Sequence, residues 1–175
     1  MALARLRPAR SLAVGAVLLT SALLVSGCSA ILGPQEAQRD EPNGEVTAAS
    51  DADVFSLQLG DCINQAESDA ETEEFASLPV VPCAEPHNGE VYAELELEDG
   101  DFPGATTVED QAMEHCHGQF EAFVGLSYDE STLIFWPMFP SEQSWELEDD
   151  RVIQCFVGPE SVTETVTGTL AGAAV

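Results

Sequence analysis

Residues 82–91 read Pro82-Cys83-Ala84-Glu85-Pro86-His87-Asn88-Gly89-Glu90-Val91. Two prolines, a cysteine, a histidine and an Asn-Gly turn dipeptide stand directly before a regular alternation. Pro86 biases Glu85 towards extended backbone, and Asn88-Gly89 marks a turn. Beyond the turn, Val91, Ala93, Leu95 and Leu97 alternate with Glu90, Tyr92, Glu94, Glu96 and Glu98. A period of two with acids on one side predicts an antiparallel strand with one apolar and one wet face.

Downstream of this strand, Asp99-Gly100-Asp101 and Pro103-Gly104 form a break, and a helix follows. Thr106 and Glu109 stand at capping-box spacing, and Glu109 and Asp110 suit the positive end of a helix dipole. Val108, Ala112, Cys116, Phe120 and Phe123 recur in steps of four, four, four and three, so Cys116 lies on the apolar face. Gly125 is the expected C-terminal cap, and Gly118 inside the helix suggests close packing. Residues 132–136 read as a strand stopped by Pro137, residues 141–150 as a loop carrying Trp145, and residues 151–157 as a strand with Ile153, Cys155 and Val157 on one face. Residues 162–170 alternate in a way that suits an edge strand, and residues 171–175 are expected to fray.

Upstream, Leu78 to Val81 is hemmed in by Pro79 and Pro82, which predicts an edge or connector, not a central strand. Residues 64–77 are acidic and irregular and read as a solvated loop. Phe55, Leu57 and Leu59 alternate with Ser56 and Gln58 as a strand would. Residues 28–52 carry Gly33-Pro34, Glu41-Pro42-Asn43-Gly44 and no apolar period, so they are expected to form a flexible tether.

The first 27 residues have the form of a signal peptide. Arg5, Arg7 and Arg10 precede an apolar run shorter than the ~20 residues of a membrane span, and the segment ends in Val25-Ser26-Gly27-Cys28. That tetrapeptide resembles the bacterial lipobox, which implies cleavage before Cys28 and lipid on its sulfur. After cleavage, 32 acidic residues would face only Arg39 and Arg151, and the chain has no lysine. Such a field repels phosphate backbones, which excludes nucleic acid as a partner. It also keeps the domain off anionic headgroups while the lipid grips the membrane. Solubility accounts for the charge most simply; a basic or cation-rich partner is the sharper account.

Cys62, Cys83, Cys116 and Cys155 remain, an even number that implies a disulfide framework in an exported chain. Of three pairings, Cys62–Cys83 and Cys116–Cys155 are favoured, because the first joins neighbouring extended segments and the second joins the helix to the last good strand. The long spacings and the absence of CxxC argue against a metal site. His115 and His117 diverge by about 200° on a helix and do not form a ligand pair. No GxSxG or HExxH motif is present, and with so many acids no carboxylate pair stands out. His87, between two turn elements and beside Cys83, is expected first to make a structural hydrogen bond, and among the histidines it is the natural pH-sensitive contact. Trp136, Trp145, Phe135 and Phe139 are expected mainly as core and loop-packing residues; an exposed Trp145 would be suited to stack on a sugar or anchor a partner.

Taken in order, Gly60-Asp61-Cys62, residues 81–91, Cys116 in a helix, Pro140 with Trp145, Asp150-Arg151, Cys155 and Thr167-Gly168-Thr169-Leu170 resemble the septum-formation family of exported or membrane-anchored actinobacterial domains. The resemblance covers residues 54–170. One departure is visible: the family commonly places a glycine just before the Asp-Arg pair, where Glu148-Asp149 stands here. The resemblance implies a cell-envelope domain linked to septation, with no known enzymatic activity or cofactor.

The expected organisation is a lipoprotein signal peptide over 1–27, a lipidated tether over 28–52, an α+β domain over 53–170 and a disordered tail over 171–175. The expected fold is a small antiparallel sheet with one main helix packed on it and two disulfides. The expected function is non-enzymatic: a domain anchored on the extracytoplasmic face by Cys28, binding an envelope protein or wall component through His87, Asn88, Tyr92 and Trp145. The second reading is a surface lipoprotein that binds a ligand or cation.

Overall fold

The computed structural model describes residues 35–65 and 76–175. The signal peptide, Cys28 and most of the acidic loop expected over 64–77 lie outside these residues. Eight strands and two α-helices are formed among them: β1 (Gln38–Arg39), β2 (Val46–Ala48), β3 (Ser50–Asp53), β4 (Cys62–Ile63), β5 (Ser77–Val81), β6 (Gly89–Glu96), α1 (Ala105–Val124), β7 (Leu133–Met138), α2 (Glu142–Leu147) and β8 (Val152–Pro159). Six strands make one antiparallel sheet in the order β3-β5-β4-β6-β8-β7, and β1 and β2 pair separately. This is the expected α+β architecture, one main helix on an antiparallel sheet with two disulfides, and it carries a further layer that the sequence did not disclose.

The sheet buries both faces. On one, α1 contributes Val108, Ala112, Cys116, Phe120 and Val124 against Ala93, Leu133, Ile153, Cys155 and Val157. On the other, Val80, Val91, Phe156 and Ile63 pack under Ala37, Val46, Ala52, Val54 and Leu57. Trp136 stacks on Phe156 there, with ring centroids 5.8 Å apart. Residues 35–52, expected as tether, are therefore part of the fold. Their apolar residues are too widely spaced to show a period, yet Ala37, Val46 and Ala52 join the core on this face.

A bulge in β6 connects the two faces. The pairing of β6 with β8 shifts between Val91 and Ala93, so these two residues, expected on the same face, point to opposite cores. The same shift buries Glu90 and Tyr92, which the alternation had placed in water, and leaves Glu94 and Glu96 exposed.

Other expectations are corrected locally. β5 lies between β3 and β4, not at an edge. Its Pro79 is tolerated because a residue's N–H and C=O share one side of a strand. The Pro79 carbonyl accepts from Asn64 N–H at 2.9 Å, so the missing donor faces that side, past the two paired residues of β4, and the β3 ladder loses nothing. Residues 54–56 form a 3-10 turn capped by Asp53, which leaves Phe55 and Leu59 in solvent while Val54 and Leu57 are buried. Helix α1 starts at Ala105 behind Gly104 (φ 95°), with no side-chain cap, so Thr106 is not its cap and Glu109 falls beyond the first turn. The capping box belongs instead to α2, in the stretch read as a loop: Ser141 and Ser144 exchange side-chain bonds with each other's backbone N–H at 3.0 Å. Residues 162–170 make only a single bridge, Val166 to His87. The end of the chain is pinned, because Gly172 and Ala174 donate to the Phe123 and Val124 carbonyls that the helix leaves open, and Val175 accepts from Thr132. Gly125 caps α1 as expected, with φ 82°.

Gly118 does not serve close packing. A Cβ there meets no atom within 4 Å among the described residues. Gly118→Ala is expected to raise stability by about 0.5–1 kcal/mol through helix propensity; an unchanged or lower urea midpoint would show that the glycine is needed.

Candidate functional site

The Pro82–Val91 segment closes into a cross-linked corner. Cys62 and Cys83 form one disulfide and Cys116 and Cys155 the other, the pairing that geometry favoured. Cys62 sits on β4 between Val81 and Glu90, its neighbours on either side. The His87 backbone is paired in both directions with Val166, and Gly168 N–H donates to the Cys83 carbonyl at 2.6 Å. Asn88 accepts from Gln65 N–H through its side-chain oxygen at 2.7 Å and donates to the Val162 carbonyl at 2.8 Å. Glu90 is buried, and its two oxygens accept from Thr169 Oγ1 and Leu170 N–H, each at 2.6 Å. His87 is fully buried. Its Nδ1 donates to the Glu85 carbonyl at 2.9 Å, which leaves the lone pair on Nε2, and that atom has no partner. Gly158 makes the corner possible: a Cβ there would lie 2.1 Å from the Asn88 backbone carbonyl oxygen.

The opposite end of β6 carries a second knot. Trp145 is buried, donates from Nε1 to the Gly100 carbonyl at 2.9 Å and meets Phe102 edge to face. The Arg151 guanidinium lies 3.8 Å from the Trp145 ring centroid, bonds the Trp145 and Asp150 carbonyls, and reaches Asp99 and Asp149. Asp149, part of the departure noted in the sequence, adopts φ 57°, a left-handed backbone that glycine accepts most easily and that Asp tolerates.

Tyr92 lies between these ends, under α1. Its hydroxyl donates to the Cys116 carbonyl at 2.5 Å, and its ring packs on Phe120 and Phe123. Burial, with a smaller contribution from Tyr128, holds the phenol well above its ordinary value of 10.0. The unfolded chain ionises first, so stability is unaffected below about pH 10 and is lost as pH rises beyond it. In Tyr128→Phe, Tyr92 is the sole tyrosine. Its ultraviolet ionisation is expected to lag free tyrosine until the protein unfolds; titration near pH 10 with the fold intact would contradict this.

The four expected contact residues therefore do not form a surface. His87, Asn88, Tyr92 and Trp145 are all buried, each with at least one side-chain hydrogen bond inside the fold. For His87 this matches the structural hydrogen bond expected of it, here from Nδ1 to the Glu85 carbonyl; Asn88, Tyr92 and Trp145 likewise bond inside the fold. His115 and His117 diverge as expected: His115 reaches the Glu94 carbonyl at 3.1 Å, while His117 packs against Tyr128 and Phe135. An open hollow of about 390 Å³ is lined by Leu95, Gln111, Glu114, His115, Gly118 and Gln119, with no serine, threonine or cysteine among them. Sequence reasoning missed Glu90 and Thr169, whose roles depend on the bulge and on the return of the C-terminal segment. Cys62, His87 and Glu90 bring one potential ligand atom each within 4.8 Å of one another, but the Cys62 sulfur is held in its disulfide.

What the surface offers is charge. Both arginines among the described residues are engaged: Arg39 bonds Asp61 through two contacts of 2.6 Å, and Arg151 is held as above. No lysine exists to offset the exposed acids. No helix among the described residues is long and apolar enough to cross a membrane.

These features define a small, disulfide-stapled α+β domain with an acidic exterior. The Septum formation family matches residues 28–172, and the chain belongs to that family. Its name points to cell division and the envelope. No curated protein and no solved structure matches the chain.

Proposed function

We propose that this protein is a non-enzymatic, lipid-anchored domain of the cell envelope that binds another envelope component during septum formation or wall growth. The observation that carries the reading is family membership over residues 28–172, joined to an exterior whose only two described cations are turned inward. The signal-peptide pattern and Cys28 supply the anchor, and the lipid holds the domain on the extracytoplasmic face. With the buried residues serving the scaffold, recognition falls to exposed carboxylates, and the partner is a basic or cation-rich protein or wall component. A ligand- or cation-binding lipoprotein is the second reading, favoured by the same acid excess.

The test is the position of the tagged, lipidated protein in dividing cells, followed by crosslinking there. Septal enrichment with salt-sensitive capture of a basic partner is the expected result. An even distribution around the envelope, with no capture at low salt, would remove the division reading. A Cys28→Ala form that still fractionates with membranes would remove the lipid anchor.

A further inference from the structure

We propose that opening the Cys62–Cys83 bridge creates a cation site from the Cys62 thiolate, His87 Nε2 and the Glu90 carboxylate. The set suits Zn2+ or a similar borderline divalent ion. This goes beyond the envelope reading and does not depend on it.

Three observations meet here. First, one ligand atom from each residue already lies within 4.8 Å of the others, and all three residues are buried. Second, His87 Nε2 carries an unshared lone pair with no partner, since Nδ1–H is committed to the Glu85 carbonyl. A buried acceptor left empty is rare, and it is the protonation state a metal ligand needs. Third, Glu90 is oriented by Thr169 Oγ1 and Leu170 N–H, the outer contacts that a ligating carboxylate uses. Sulfur, nitrogen and oxygen ligands with one position open match a zinc site.

The site survives loss of the bridge because the backbone fixes its members. Cys62 and Glu90 are direct cross-strand partners, Cys62 is paired with Val81 on its other side, and His87 is tied to Val166. While the disulfide is closed, the Cys62 sulfur is no thiolate and the site is shut.

The two disulfides differ in access. Cys116 and Cys155 are fully buried, whereas Cys83 is partly exposed next to buried Cys62. A dithiol reductant therefore attacks Cys83 Sγ, and Cys62 leaves as the thiolate. The second thiol of the reductant then displaces Cys83, forming the reductant's own disulfide. Two electrons pass to the protein. Of the two protons, one stays on Cys83 and the other goes to solvent as the Cys62 thiolate takes the ion.

The experiment is Co2+ titration of the folded domain followed by Zn2+ competition. Cys83→Ser, which frees Cys62 without reductant, is expected to give a thiolate-to-cobalt charge-transfer band that Zn2+ abolishes. Oxidised wild type is expected to give none. Adding His87→Gln is expected to weaken binding by more than the roughly 10–100-fold that loss of an outer contact costs. No band in folded Cys83→Ser, or a band that His87→Gln leaves unchanged, overturns the proposal. If Cys83→Ser does not fold, wild type reduced by a water-soluble phosphine, with Cys116–Cys155 shown intact by mass mapping, carries the same test. Failure of that form to fold in the presence of Zn2+ also overturns it.

Discussion

Arg39→Ala is expected to lower stability by about 3–5 kcal/mol, the cost of leaving a buried charge without its partner. Arg39 and Asp61 are 8% and 2% exposed at their side chains and share two parallel contacts of 2.6 Å. Asp61 also accepts from Gln58 N–H, so its carboxylate cannot turn to water without breaking a loop. The hydrogen bond to Asp61 raises the guanidinium pKa, so the cation persists at every pH where the domain folds. Urea unfolding reads the loss directly. Arg39→Met combined with Asp61→Asn is expected to recover part of it, because no lone charge remains. A loss below about 1 kcal/mol in Arg39→Ala would mean that the pair behaves as a surface bridge. The same contact distinguishes two starting points for the chain. One beginning at residue 35 is expected to fold, whereas one beginning at residue 53 lacks Ala37, Val46 and Ala52 and bares a sheet face.

The second large effect belongs to the other staple. Replacing Cys116 and Cys155 together by alanine is expected to cost about 4 kcal/mol by the chain-entropy relation for their separation of 39 residues. Both sulfurs are fully buried between α1 and β8, so lost packing adds to that figure. The readout is the thermal midpoint of the double variant against wild type under oxidising conditions. An unchanged midpoint would show that Val108, Phe120 and Ile153 hold the helix without the bond.

The fold class was legible because it rests on local signals: the four-residue steps of α1 and the placement of four cysteines. The turn expected at Asn88-Gly89 lies instead at Pro82–Glu85, and Gly89 already belongs to β6. The failures have separate physical origins. A bulge inserts a residue without leaving a mark in an apolar-polar pattern, so Val91 and Tyr92 were assigned to the wrong surroundings. Residues 35–52 and 171–175 look unstructured because their partners are distant in sequence, Asp61 for Arg39 and Phe123 for Gly172. Of the candidate site, the Pro82–Val91 segment was legible as a cross-linked stretch, but its separation from Trp145 and the burial of both were not. His87 and Trp145 were singled out for polarity and aromaticity, properties that serve equally well in a satisfied interior.

The bulge in β6 also governs how the molecule comes apart. One strand supplies Val91 to one core and Ala93 to the other, and β8 does the same with Phe156 and Val157. A slip of either strand would misplace both cores at once, so neither half has a route to separate unfolding. Amide protons on the two sides of the sheet should therefore exchange with the same free energy, as one cooperative unit.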